Sequence, residues 1–254
     1  MVSKNTTDLN LIILGSPEAG KATTIGTLLY KIADKSSGNL QKLHQQAQDL
    51  EKNHEDPAWI LDHFKDQREA GADPEEGDST LKIITAKNQF NIAEVSGHER
   101  FIKNDISRLP PLDAALLVVS ARFDEYEASI VNQDLISQDI LLAFSLGVKN
   151  FIVAVNKIDE DTQDIYEQIE ATVTERIKKI TNLESSQIIC VPISAKHGDN
   201  ITEPSENLGW HEGPTLLQAF EGIPPAKKLE EKPLRLTLQD VYKIIDKIAP
   251  MGRI

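Results

Sequence analysis

Short runs of apolar residues, uncharged and rich in branched side chains, constrain the fold of this chain more than any other feature. A strand that is apolar at every position has both faces buried, as in a mostly parallel sheet covered by helices. The runs that come near this description are Leu9–Leu14, which includes Asn10, and Ala114–Ser120, Phe151–Val155 and Ile188–Ile193. Two further runs, Leu81–Ala86 and Phe90–Val95, lie close together in the sequence and predict a pair of neighbouring strands.

The segments between these runs have the apolar spacing of helices. In Asp164–Ile180 the apolar side chains recur every three or four residues and form one stripe: Ile165, Ile169, Val173, Ile177 and Ile180. Lys21–Ala33 and Asn132–Leu146 are also predicted to be helical. Strands that alternate with helices predict an α/β fold built on a doubly wound, mostly parallel sheet.

Net charge limits the ligands that the general surface can attract. The chain has 27 Lys and Arg against 40 Asp and Glu, a formal net charge of −13, so its surface repels phosphate backbones. A phosphate ligand therefore needs a preorganised pocket.

The single cysteine, Cys190, excludes an intramolecular disulfide. No apolar run approaches the roughly 20 residues of a membrane span, and the first ten residues lack the apolar stretch that a signal peptide has. We expect a soluble cytoplasmic protein with no membrane partner.

A glycine-rich motif follows the first predicted strand and opens the first predicted helix. In a G-x-x-x-x-G-K phosphate loop, backbone amides turn towards phosphate oxygens while the helix amino terminus and the lysine supply positive potential. The other interpretation is an ordinary glycine turn with a solvated lysine. The residues predicted to contact nucleotide here are Gly15, Ser16, Pro17, Glu18, Ala19, Gly20, Lys21, Ala22 and Thr23.

Two motifs that follow later strands predict a pocket for guanine. A carboxylate at Asp159 can accept hydrogen bonds from the ring N–H and the exocyclic amine of guanine, whereas adenine offers neither. Each motif alone could be a helix cap or a surface turn, but ligands of open α/β sheets bind where the strands end. The predicted base-binding residues are Asn156, Lys157 and Asp159 after Phe151–Val155, and Ser194, Ala195 and Lys196 after Ile188–Ile193.

The positions expected to hold Mg²⁺ are altered. Hydrolases with this loop place Ser or Thr after the lysine, because its hydroxyl ligates the metal. Ala22 has no oxygen, and Thr23 points about 100° away around the helix. GTPases also carry D-x-x-G, where this chain has Glu94 and Gly97. His98 follows at a place where a side chain could orient the attacking water; the less favoured interpretation is a partly exposed loop histidine.

With these motifs in place, the sequence resembles eukaryotic translation elongation factor 1-alpha over almost its whole length. The segments that carry the resemblance are Gly20–Lys31, Gly97–Asn104, Leu141–Asp159, Val191–Trp210 and Pro233–Ile244. The resemblance implies the P-loop GTPase fold and a bound GTP or GDP. Members of this family carry aminoacyl-tRNA to the ribosome and hydrolyse GTP there.

The departures from the family pattern are concentrated at the positions that bind Mg²⁺ in the family. Where the family has a Ser after the loop lysine, this chain has Ala22, and where the family has the Asp of D-x-x-G, it has Glu94. In place of the family's metal-binding R-G-I-T it has Ala70–Asp73, inside an acidic loop. We expect a GTP-binding domain over residues 1–222, a linker over 223–233 and a vestigial start of a β-barrel domain over 234–254. Because family members are basic and use two carboxyl-terminal barrels to hold tRNA, tRNA delivery by this chain alone is not expected.

Two functions remain open from the sequence. The first is a GTPase with weakened hydrolysis, in which His98 orients water and Glu94 holds Mg²⁺ through an intervening water. The alternative is a catalytically inactive pseudo-GTPase that works as a guanine-nucleotide-dependent protein-binding module. The expected partners are the translation machinery or a nucleotide-exchange factor. An ATP-using kinase is disfavoured by Asp159.

Overall fold

A computed structural model of the 254-residue chain divides it into two compact units, Met1–Pro224 and Pro225–Ile254. The structure describes residues 7–33, 81–85, 87–94, 111–127, 134–158, 163–224, 237–244 and 247–253. Within these ranges, no helix is long and apolar enough to span a lipid bilayer.

The larger unit is a six-stranded sheet with helices. Its strands are β1 (Thr7–Leu14), β2 (Leu81–Ile84), β3 (Asn88–Glu94), β4 (Ala114–Ser120), β5 (Asn150–Asn156) and β6 (Ile188–Pro192). The α-helices among its described residues are α1 (Lys21–Ala33), α2 (Phe123–Glu127), α3 (Leu135–Ser145), α4 (Gln163–Thr181) and α5 (Leu216–Glu221). In the same residues, 3₁₀ turns at Ser185–Gln187 and Glu206–Leu208 lie in the connections.

The order of the strands in space confirms the predicted doubly wound sheet. The order is β2-β3-β1-β4-β5-β6, and all neighbours are parallel except β2 and β3, which are antiparallel. β1 lies between β3 and β4, so the chain proceeds to opposite sides of β1. In open α/β sheets such a reversal opens a crevice beyond the carboxyl ends of the strands, where ligands bind.

Burial on both faces explains why β4 is apolar from Ala114 to Val119. Every side chain of β4 is buried. Ala115, Leu117 and Val119 belong to one hydrophobic cluster, whereas Ala114, Leu116 and Val118 belong to the cluster on the other face. Successive side chains of a strand point to opposite faces, so a strand covered on both sides needs apolar residues at every position.

The predicted apolar stripe of α4 is correct in its middle and wrong at its start. Ile169, Val173 and Ile177 are buried as expected, but Ile165 is 41% exposed. Tyr166 is buried in its place, because its ring packs against that of Trp210 with centroids 5.3 Å apart. The first buried side chain of the helix is therefore Tyr166, which belongs to the hydrophobic cluster on this face of the sheet and also packs against Trp210.

The smaller unit contains one antiparallel pair of strands, β7 (Thr237–Ile244) and β8 (Lys247–Arg253). An irregularity in the register falls between Leu238 and Asp240. The sequence predicts β7 within a longer strand-like run, whereas it gives no prediction for β8.

Candidate functional site

The loop between β1 and α1 turns through backbone conformations that favour glycine. Gly15 has φ of 140° and Gly20 has φ of 92°, and Glu18 between them also has a positive φ of 67°. A Cβ atom on Gly15 would overlap the carbonyl oxygen of Val118, on the neighbouring strand β4. Glycine is therefore required at position 15 both for its conformation and for the close approach of the two backbones.

Lys21 lies against the loop that precedes it. Its Nζ donates to the carbonyl oxygens of Gly15 at 2.7 Å and Ser16 at 3.0 Å. Ser16 and Ala19 are buried, whereas Pro17 and Glu18 are exposed. Because α1 begins at Lys21, the positive end of the helix dipole and the ammonium group act at the same place. This is the electrostatic environment of an anion site.

Asn156, the last residue of β5, joins the loop of β1 to the loop of β6. Its Nδ2 donates to the carbonyl oxygen of Ala19 at 2.8 Å, and its Oδ1 accepts from the backbone N–H of Ala195 at 2.9 Å. The side chain is buried, with 2% exposure. Gly20 leaves the necessary room, since a Cβ there would overlap the Asn156 amide. Three loops that are distant in sequence thus share one buried side chain.

Helix α1 also forms hydrogen bonds with the loop after β6. Thr27 Oγ1 donates to the carbonyl oxygen of Ala195 at 2.7 Å, and Lys31 Nζ donates to that of Gly198 at 2.6 Å. Ser194 and Ala195 are buried, whereas Lys196 is exposed. The predicted base-binding loop is therefore fixed to the helix that begins at the predicted phosphate loop.

Lys157 follows Asn156 in a left-handed conformation, with φ of 65°. Its Nζ forms an ion pair with Glu125 of α2, at 2.6 and 2.8 Å from the two carboxylate oxygens. Ile158, which follows, is buried at 3% exposure. The backbone N–H of Ile158 donates to the carbonyl oxygen of Ile193 at 3.3 Å, so the motif stays close to β6.

Asp139 of α3 is a charged residue at this site that sequence reasoning missed. Burial raises the pKa of its carboxyl group from 3.8 to about 6, while the nearby charge of Lys21 and a hydrogen bond from the Gly15 backbone oppose that rise. The sequence carries no motif for this contact, because Asp139 belongs to a helix whose other residues fit an ordinary amphipathic pattern. A carboxylate beside the lysine lowers the positive potential of the loop.

The described residues do not fit a bound Mg²⁺. The Ala22 methyl group packs against the hydrophobic cluster on its face of the sheet, and the hydroxyl of Thr24 donates to the carbonyl oxygen of Gly20 at 2.8 Å. Thr23 is partly buried in the first turn of α1. Within the described ranges, no group of three or more His, Cys, Asp or Glu side chains could hold a metal ion.

The structure brings most of the predicted site residues to one edge of the sheet. Those from positions 15–23, 156–157 and 194–196 follow the ends of β1, β5 and β6. Glu94 ends β3, where its backbone is paired with that of Ile13, and its side chain is outside the described atoms. The predictions that lie outside the described residues are Gly97, His98, Asp159 and Ala70–Asp73.

This sheet, with a glycine-rich phosphate loop after β1 and polar loops after β5 and β6, defines the class of P-loop GTPase domains. The family model described as the elongation factor Tu GTP binding domain matches residues 6–248. The chain belongs to that family.

Curated proteins similar to this chain include elongation factors. Elongation factor 1-alpha of Entamoeba histolytica is 39% identical over 254 residues, covering 99% of this chain and 57% of the relative. That of Euglena gracilis is 38% identical over 259 residues, covering 100% of this chain and 57% of the relative. The chain thus spans a little over half the length of these relatives.

Solved structures share the fold at lower sequence identity. The structure of Sup35 complexed with GDP has a TM-score of 0.61 and 19% identity, covering 94% of this chain and 50% of that one. The GTPase-like domain of S. cerevisiae Ski7, bound to GTP, has a TM-score of 0.62 and 22% identity, covering 97% of this chain and 58% of that one.

Proposed function

We propose that this chain binds GDP and GTP at the carboxyl edge of its sheet. The observation that carries the proposal is the pair of hydrogen bonds through which Asn156 joins Ala19 to Ala195. These bonds hold the phosphate loop and the base loops in a fixed relation, so the two ends of one nucleotide can be bound together. Membership of a GTP-binding family supports the same assignment.

Each part of the site has a distinct role in this proposal. The amides of the loop from Gly15 to Gly20 and the ammonium of Lys21 bind the phosphates, as positive groups do at a helix amino terminus. Asp159 accepts two hydrogen bonds from guanine, and Ser194 to Lys196 close the other side of the base. Adenine would leave the Asp159 carboxylate unpaired, and this penalty gives the selectivity for guanine.

We propose further that GTP hydrolysis is weakened relative to the elongation factors. Bound Mg²⁺ would supply charge neutralisation for phosphoryl transfer, but Ala22 offers a methyl group packed against the core instead of a hydroxyl ligand. His98 is the residue proposed to orient the attacking water. Since the guanine-binding side chains do not depend on the metal, nucleotide binding is retained although hydrolysis is weakened.

The second candidate function is a pseudo-GTPase that binds protein partners in a nucleotide-dependent way. The core contact of Ala22 favours it, together with the Asp139 carboxylate beside Lys21. In both proposals residues 1–222 form the nucleotide domain, 223–233 a linker and 234–254 the start of a further domain. The partner in both is a component of the translation machinery or a nucleotide-exchange factor, and the location is the cytoplasm.

Single-turnover GTP hydrolysis, measured with Mg²⁺ and with a chelator, separates the two functions. A weakened GTPase converts bound GTP to GDP slowly, whereas a pseudo-GTPase retains GTP with Mg²⁺ and with a chelator. Multiple turnovers at the rate of an elongation factor would contradict both. Lys21→Ala should abolish nucleotide binding, and Lys178→Ala, which removes an exposed charge from α4, should leave it unchanged.

A further inference from the structure

The geometry points to Glu125 as a positioning residue for the guanine-binding loop, acting through its ion pair with Lys157. This inference deepens the proposed function and rests on it. Glu125 belongs to no motif of the sequence, and α2, the helix that carries it, is not predicted from the sequence.

The sheet itself brings the two residues together. β4 ends at Ser120, which is paired with Asn156 at the end of β5. The backbone N–H of Ala121 then donates to the carbonyl oxygen of Asn156 at 2.8 Å, so the two strands stay side by side past their ends. Glu125 follows within one turn of α2, and Lys157 is the next residue after Asn156. The ion pair therefore closes a short bridge between two adjacent strand ends.

The ion pair is partly shielded from water and reinforced by neighbours. The side chains of Glu125 and Lys157 are 18% and 26% exposed. Burial alone would raise the pKa of Glu125, but hydrogen bonds from Lys157 and Ser120 and the charges of Lys157 and Arg122 hold it below its usual range. The carboxylate is therefore ionised at neutral pH, and its bonds to Lys157 are of the charge-assisted type.

Fixing the ammonium of Lys157 limits the conformations open to its side chain and to the loop. Lys157 has a left-handed backbone, which is unfavourable for a non-glycine residue and persists only where the surroundings hold it. Lys157 lies between Asn156 and Asp159, the residues proposed to organise and read the base. Glu125 thus preorganises the loop for guanine, and its loss should act mainly on nucleotide dissociation.

The test compares Glu125→Gln with Asp124→Asn in the full chain. Both variants remove one negative charge from α2, but Asp124 is exposed. The measurement is the dissociation rate of fluorescent GDP, chased by unlabelled GDP, with thermal unfolding as a check on folding. We expect Glu125→Gln to release GDP about tenfold faster, the lower end for loss of a hydrogen bond to a charged group. Asp124→Asn should release GDP at the wild-type rate.

A double-mutant cycle separates positioning from general destabilisation. Lys157→Met should also speed release, and Glu125→Gln added to it should produce no further change, because the interaction is already absent. Additive effects would overturn the inference, as would wild-type release by Glu125→Gln or equal effects of Glu125→Gln and Asp124→Asn. Failure of the wild-type chain to bind GDP would instead overturn the proposed function, and the inference with it.

Discussion

The side-chain amide of Asn156 donates to the carbonyl oxygen of Ala19 at 2.8 Å, joining residues 137 positions apart in the sequence. The same side chain accepts from the backbone N–H of Ala195. Since one buried side chain sets the spacing between the phosphate loop and the loop after β6, its removal should affect stability and nucleotide binding together.

Asn156→Ala should lower the free energy of unfolding by about 2 to 4 kcal/mol, because it leaves the Ala19 carbonyl and the Ala195 N–H without this partner. Asn150→Ala is the matched control at the other end of β5. It removes a partly buried bond from Asn150 to the Asp113 carbonyl, worth about 1 kcal/mol. Urea unfolding of the nucleotide-free chain measures both. Equal losses in the two variants would mean that Asn156 has no special structural role.

Gly20→Ala and Gly147→Ala separate backbone strain from steric overlap. The two glycines have φ of 92° and 90°, so alanine is strained to the same extent in both, by about 1 kcal/mol. A Cβ at position 20 would overlap the Asn156 amide, whereas nothing lies within 4 Å of one at position 147. We expect Gly20→Ala to abolish GDP binding in calorimetry and Gly147→Ala to retain it. Loss of binding in both variants would contradict this explanation.

Asp139→Asn should stabilise the chain above pH 6. The folded pKa of about 6 lies above the ordinary 3.8, so the folded state binds the proton more tightly than the unfolded state. This residue's contribution to stability is therefore greatest below pH 3.8 and falls as pH rises through about 6. The variant should gain on the order of 3 kcal/mol over the wild type at pH 8, since the pKa shift spans about two units, and little at pH 4.

Chemical unfolding across pH 4 to 8 measures this difference. Glu175→Gln, which removes an exposed carboxylate of α4, serves as the control for the loss of one negative charge. A gain by Asp139→Asn that does not grow with pH would show that burial does not raise the pKa of this carboxyl group.

Ala22→Ser should make GTP binding respond to Mg²⁺. The substitution supplies the hydroxyl that a phosphate loop of this kind uses to ligate the metal. We expect Mg²⁺ to tighten GTP binding severalfold in Ala22→Ser and to have little effect in the wild type. Ala33→Ser places the same hydroxyl at the other end of α1 and should behave as the wild type. A strong Mg²⁺ response in the wild type would show that other residues hold the metal.

The sheet could be predicted because its central strands are buried on both faces. Ala114–Ser120 and Lys21–Ala33 match the observed β4 and α1 at both ends. Helices α2 and α5 were missed, since they span only Phe123–Glu127 and Leu216–Glu221 and are too short for a clear period. A local sign existed for α5, where Thr215 and Gln218 form a reciprocal capping box.

The site could be predicted only where a short motif fixes the chemistry. Each motif follows a strand end, so its place in the sheet follows from the order of the strands. Glu125 and Asp139 could not be found in this way, because their roles depend on contacts with Lys157 and Lys21 made through the fold. Charged residues on amphipathic helices are ordinarily solvated, and only their neighbours in space distinguish these two.

Calorimetric titration of the wild-type chain with GDP and with ADP tests the guanine pocket most directly, with Asp159→Asn titrated alongside. Selective binding predicts heat with GDP, none with ADP at the same concentrations, and loss of that preference in Asp159→Asn. Equal affinity for the two nucleotides, or no binding of GDP by the folded chain, would contradict the account.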